Sequence, residues 1–310
     1  MSARKQVPDL WDQSQIWREL LPWHESVRQH VGDLLSREQL PHALLLTGAP
    51  GWGERGLANW IALHLLEQPE DIVARELAHP DLLWIAPDGA VTKIESVREL
   101  NEFAVRTSLI APRKVAVIEA AHTLNRNAAN ALLKTLEEPP ENTYLLLASC
   151  HPGRLLATIR SRCQRFNVLS QPDLARTWLA EKLDVPDLRD RQFEHGDAPL
   201  SVLQGYHDGE TSLLKMLGEI AASANPVSYV QRLIEMDPVN LTGRWFRYAQ
   251  ALVAGDLKMR ELESVTPKKL IKFVDELLWV RRQLETTNSA NPRLLLERLV
   301  VQWHSLNSGR

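Results

Sequence analysis

The segment Gly48-Ala49-Pro50-Gly51-Trp52-Gly53-Glu54-Arg55 has the glycines that let a backbone wrap a polyphosphate, followed by the wrong side chains for the task. A phosphate loop uses Lys to reach the β- and γ-phosphates and then Ser or Thr to ligate Mg²⁺. This chain has Glu54 and Arg55 in those places. A carboxylate repels polyphosphate, and a guanidinium has no lone pair for a metal. The second element of such a site is an apolar strand ending in two acids, one for the metal and one to polarise water. Here Val115-Ala116-Val117-Ile118 ends in Glu119-Ala120. Glu119 keeps a carboxylate that can hold a metal, whereas Ala120 cannot activate anything. Losses at several independent positions argue against nucleotide hydrolysis. Gly48, Gly51, Gly53, Glu54 and Arg55, with Glu119 and Ala120, therefore form a vestigial site from which no cofactor binding is expected.

The remaining reactive residues offer little chemistry by spacing alone. Cys150 and Cys163 give neither a disulfide framework nor a zinc pattern. Cys163 reads as a small packing residue, with no His at a spacing that suggests a catalytic dyad. His64 and His79 stand without soft ligands between them, so no metal is expected. A net charge of −3 excludes a strong global attraction to nucleic acid, although a local basic face is compatible with it. The mixed-charge N-terminus shows no signal peptide, and no apolar run approaches the roughly 18 residues of a membrane span. A soluble cytoplasmic protein is expected. The ten tryptophans, from Trp11 to Trp303, are scattered and read as core or interface anchors rather than a base-stacking platform.

The elements that must position these residues alternate. Trp11, Trp17, Leu20, Leu21 and Trp23 precede an amphipathic run over Ser26 to Leu40, which Pro41 stops. Strands are expected at His42 to Thr47, Asp81 to Ala86, Lys114 to Ile118, Tyr144 to Ser149 and Phe166 to Leu169. Helices lie between them: Gly56 to Leu66, one opened by a capping box at Thr92-Lys93-Ile94-Glu95, and Ala128 to Glu137 capped by Asn127. Such alternation argues for a parallel, doubly wound α/β domain ending near residue 168. Short helices broken by Pro186 and by Gly196-Asp197-Ala198-Pro199 follow. The rest, from about Asp208, is helical in pattern.

Two further segments carry a resemblance. The run from Asn127 to Pro140 (NAANALLKTLEEPP) and Ile159-Arg160-Ser161-Arg162-Cys163 resemble the signatures of bacterial clamp-loader subunits of the AAA+ class. The likeness covers roughly residues 20–205, and beyond that only the architecture fits. It implies an AAA+ P-loop-type sheet domain (1–168), a small helical lid (169–207) and a C-terminal helical collar for oligomerisation (208–310). It also implies that Arg162, within Ser161-Arg162-Cys163, is an arginine finger acting in trans on ATP held by a neighbouring subunit. The gamma and tau motor subunits keep the Lys and the Asp-Glu pair, so this chain resembles the non-hydrolysing stator. Its implied partners are those motors, the delta subunit, the sliding clamp and primer-template DNA, during clamp loading in replication. Nucleotide transfer into DNA belongs to other chains. Cys150 falls at the sensor-one position beside Ser149, and Pro199 stands where motor subunits carry a sensor-two Arg. Arg98, Arg106, Arg113 and Lys114 belong to the domain that would face DNA. The four-cysteine zinc module usual in these subunits is absent. The alternatives are an active AAA+ motor subunit of the same complex and a nucleic-acid-binding adaptor on the same fold.

Overall fold

Four short apolar runs rich in Leu, Val or Ile pair in parallel, and a fifth, polar strand with only Phe166 buried joins them at the sheet edge. They are β1 (Ala43–Thr47), β2 (Leu82–Ile85), β3 (Lys114–Ile118), β4 (Thr143–Ser149) and β5 (Gln164–Asn167), in the order β2-β3-β4-β1-β5. The computed structural model describes residues 13–307 apart from 20, 90, 210–211, 257–264 and 287–290. Trp11 and Leu20 therefore lie outside the described residues. Helices α1 (Gln13–Arg18), α2 (Glu25–Ser36), α3 (Glu54–Leu65), α4 (Ile94–Val105), α5 (Arg126–Glu137) and α6 (Ala157–Arg160) accompany the sheet. Then come α7 (Pro172–Lys182), α8 (Leu188–Glu194), α9 (Pro199–His207), α10 (Leu213–Ala222), α11 (Val230–Ile234), α12 (Pro238–Ala254), α13 (Pro267–Thr286) and α14 (Pro292–Asn307). Among the described residues no helix is long and apolar enough to cross a membrane.

The described chain divides into two compact units: one runs to Trp178 and includes Ala198–Leu200, the other takes Leu179–Asp197 and continues from Ser201. In the first, one core packs Leu45, Ala116, Ile118, Leu145 and Leu147 against Val97, Leu100, Leu132 and Leu136 of α4 and α5. In the second, Trp245 and Trp303 lie at 5.6 Å in an edge-to-face pair within an all-helical core.

Several local readings need correction. Helix α2 stops at Ser36, before Pro41, because Glu38 turns left-handed (φ 56°). The Gln39 N–H then bonds the Leu34 carbonyl at 2.8 Å and the Glu38 N–H the Leu35 carbonyl at 3.0 Å, a Schellman end. Helix α5 is capped by Asn125, whose side chain accepts the Ala128 N–H at 2.8 Å. Asn127 sits inside the first turn. No capping box forms at α4: its cap is Lys93, and the Thr92 hydroxyl instead lies 2.8 Å from that of Thr123. Strand β5 begins two residues early, at Gln164, where it pairs with Leu44 of β1.

Candidate functional site

The parallel register Thr47↔Ser149 and Ile118↔Leu147 brings the carboxyl ends of β1, β3 and β4 to one edge. In open α/β sheets that edge is where ligands bind. The glycine loop, Glu119 and Cys150 therefore meet there.

The loop is shaped as the glycines allow but closed by protein. Gly51 and Gly53 take φ of 78° and 86°, and Gly53 caps α3. A Cβ on Gly53 would stand 2.6 Å from Leu21 Cδ1, so the preceding segment is packed onto the turn. The Trp52 carbonyl accepts N–H bonds from Trp23 Nε1 and His24 Nε2, both at 2.9 Å. Trp23 in turn stacks edge-on against Trp52 (5.4 Å) and Trp178 (5.3 Å). The Leu200 N–H, at the start of α9 beside Pro199, bonds the Gly51 carbonyl at 3.1 Å. A backbone contact thus stands in the sensor-two region.

The two substituted positions are satisfied internally. Glu54 opens α3 and is only 5% exposed; burial pushes its carboxyl up, outweighing its own backbone N–H and the Arg55 charge. Arg55 Nη1 reaches Glu119 Oε1 at 3.2 Å, and Arg75 Nη1 reaches Glu119 Oε2 at 3.2 Å. Trp84 Nε1 donates to that second oxygen at 3.1 Å. Glu119 is 4% exposed, so a nearly buried carboxylate is matched by two guanidiniums and an indole N–H. A metal there would have to displace both cations. Ala120 is buried and contributes no polar group.

Arg162 lies past α6, with Nη2 at 2.5 Å from Glu137 Oε1 and Nη1 donating to the Thr158 carbonyl at 3.0 Å. Its side chain remains 34% exposed. Arg162 and the first acid of LLKTLEEPP are therefore partners within this chain. Ser161 Oγ bonds the Thr158 carbonyl, and Cys163 packs at the edge of the core, its thiol pushed up to about 12 by burial. Arg165 is structural, donating to Thr47 Oγ1 at 2.9 Å.

Of the four basic residues assigned to a DNA-facing domain, Lys114 is corrected. It is buried, and Nζ donates to the carbonyls of Phe103, Ala104 and Arg106, so it closes the end of α4. Arg106 and Arg113 stand 4.0 and 3.8 Å from Glu102 and Glu67, and Arg98 is exposed. Asn59 of α3 acts as a polar clamp on the segment without the zinc module. Its Oδ1 accepts the Ala74 N–H at 2.7 Å, and its Nδ2 donates to the Trp17 and Ile72 carbonyls. No spacing in the sequence marked Asn59 or Arg75 for these roles.

Comparison with known proteins gives the family and the fold. A family model described as DNA polymerase III, delta subunit, matches residues 23–172. DNA polymerase III subunit delta′ of Pseudomonas aeruginosa is 32% identical over 93% of this chain and 98% of its own length. The delta′ subunit of Escherichia coli is 36% identical over 53% of this chain and 54% of its own. Subunit tau of Bacillus subtilis is 33% identical over 60% of this chain and 34% of its own. A gamma subunit-related protein from Thermotoga maritima superposes with a TM-score of 0.55 at 20% identity, over 91% of this chain and 99% of that one, which shows the fold. With an AAA+ clamp-loader fold and a delta′ relative matched along nearly its whole length, the chain belongs to the DNA polymerase III delta′ subunit family.

Proposed function

We propose that this delta′ subunit is the non-hydrolysing stator of a clamp loader and that Arg162 acts in trans at a neighbour's nucleotide. The observation that carries the first part is the Arg55–Glu119–Arg75 cluster. The magnesium-ligating hydroxyl is replaced by a cation that neutralises the one remaining acid. The second part rests on Arg162 being positioned but weakly held. An exposed ion pair such as Arg162–Glu137 contributes about 0.2–1 kcal/mol. A terminal phosphate offers more negative charge and more acceptor oxygens than Glu137, so Arg162 can exchange one for the other at little cost. Relatives named gamma and tau supply the class of neighbour.

In this reading the chain works in the cytoplasm beside gamma or tau, delta, the sliding clamp and primer-template DNA, and has no enzymatic turnover of its own. Residues 169–207 serve as lid and 208–310 as collar. Equilibrium titration of the isolated chain with Mg²⁺ and a fluorescent ATP analogue tests the reading. It predicts no saturable binding up to about 1 mM nucleotide, where binding would still be worth roughly 4 kcal/mol. Tight binding restores the motor-subunit alternative. Stable DNA binding without affinity for motor subunits restores the adaptor alternative.

A further inference from the structure

Outside the phosphate loop, His122, Cys150 and His151 converge. His122 lies in the turn after β3, and Cys150 and His151 follow β4 directly, so the pairing of β3 with β4 places both turns side by side. Cys150 Sγ is 3.1 Å from His151 Nδ1 and 3.9 Å from His122 Nε2. One ligand atom from each residue falls within 4.8 Å of the others. Tetrahedral zinc with bonds of about 2.0–2.3 Å sets such atoms roughly 3.3–3.6 Å apart, so side-chain rotation closes the set.

We propose that His122, Cys150 and His151 bind a borderline-soft divalent cation of the zinc class, with water in the fourth position. The supporting shell is already built. Ser149, fully buried, places Oγ 3.3 Å from His122 Nδ1 and accepts the His151 backbone N–H at 3.3 Å. Holding the second ring nitrogen in this way fixes a ligating imidazole, with Nε2 turned toward the thiol. His122 and Cys150 are half-buried and His151 is exposed, which leaves the ion a route in. On binding, the Cys150 thiol loses its proton to solvent and the thiolate offsets one of the two added charges. Arg55 and Arg154 face His122 and oppose a cation. Arg55 is already paired with Glu119, and Arg154 is exposed to screening water. Burial and the nearby Glu54 carboxyl both push the Cys150 thiol up, so the bound cation must displace that proton. This site revises the expectation of no metal, and it is separate from the cysteine-free segment between His64 and His79. Soft divalent ligation suits one imidazole–thiolate–imidazole set better than the carboxylate–water sets of magnesium.

Cobalt titration of the chelator-stripped full chain, followed by zinc competition, tests the proposal. One equivalent of Co²⁺ is expected to give thiolate-to-cobalt charge transfer and the intense visible bands of tetrahedral cobalt, both erased by zinc. Cys150→Ser abolishes the charge-transfer band, and His122→Gln weakens binding while retaining the band at saturation. Ser149→Ala raises the dissociation constant about 10- to 100-fold, the usual loss when a supporting hydrogen bond goes. Cys163→Ser changes nothing. Circular dichroism confirms that each variant is folded, and the wild type and His122→Gln decide the matter if Cys150→Ser is not. Failure of the folded wild type to bind Co²⁺, or a charge-transfer band that survives Cys150→Ser, overturns it.

Discussion

Residues decide what this AAA+ domain can do, and Glu54 shows how. A carboxylate at the first turn of α3 sits where the helix dipole favours negative charge, yet burial raises its pKa. The folded state therefore holds that proton above 4.5, where the unfolded chain releases it. Stability contributed by the neutral form is full below pH 4.5 and is lost as pH rises through the folded value. Glu54→Gln is accordingly expected to be more stable than wild type at neutral pH, with the difference vanishing below pH 4.5. Denaturant melts at several pH values measure this. Equal stability at neutral pH would show that Glu54 is better solvated than its burial indicates. The loss of Lys at position 54 was plain in the sequence. The pairing of Arg55 with Glu119 was not, because 64 residues separate them and only the register of β1, β4 and β3 brings them together.

At the scale of elements, the segment before the phosphate loop carries more of the site than its sequence suggested. The turn at Pro22–His24 places Trp23 and His24 on the Trp52 carbonyl, locking the loop from its outer side. Burial lowers the His24 pKa from 6.5 to about 4, so this imidazole is neutral when folded and charged when unfolded between those values. Stability is then full above pH 6.5 and is lost as pH falls toward 4, by up to about 3 kcal/mol. His24→Gln should flatten this part of the acid limb, as thermal melts across pH 4–7 would show. An unchanged slope would assign the acid sensitivity to other groups, such as His122, whose pKa is also lowered to about 4. Strands β1 to β4 were legible because apolar runs of four to seven residues alternate with amphipathic helices, whereas the polar start of β5 at Gln164-Arg165 gave no such signal. Helix ends were less so. Asn125 and Asn127 are equally good caps by type, and the choice follows from backbone geometry, with Asn125 extended and its side chain reaching back.

The whole molecule joins a degenerate nucleotide domain to a helical unit with its own polar anchor. In that unit Glu194 Oε2 pairs with buried Arg244 Nη2 at 2.6 Å, while Glu194 Oε1 accepts from Ser212 Oγ and the Leu214 N–H. Removing one partner leaves a charge stranded in the core, at a cost of about 3–5 kcal/mol. Glu194→Ala should therefore lower the unfolding midpoint of the helical unit, reported by buried Trp245 and Trp303, and leave the sheet unit unchanged. A loss below about 1 kcal/mol would mean that water reaches Arg244 freely. Nothing in the sequence set Glu194 or Arg244 apart from surface charges, since the two are 50 residues apart on different helices.

The stator account is tested most directly by the DNA-stimulated ATPase of a loader reconstituted from motor subunits, delta and this chain, comparing wild type with Arg162→Ala. Because Arg162 is only half-buried and held in a weak surface pair, the variant should fold and assemble normally by gel filtration. An arginine finger is worth about 10³–10⁵ in rate in related hydrolases, so turnover at the adjacent site should fall by at least roughly tenfold. An assembled complex that turns over at the wild-type rate would contradict the account, and Arg162 would then be only the partner of Glu137.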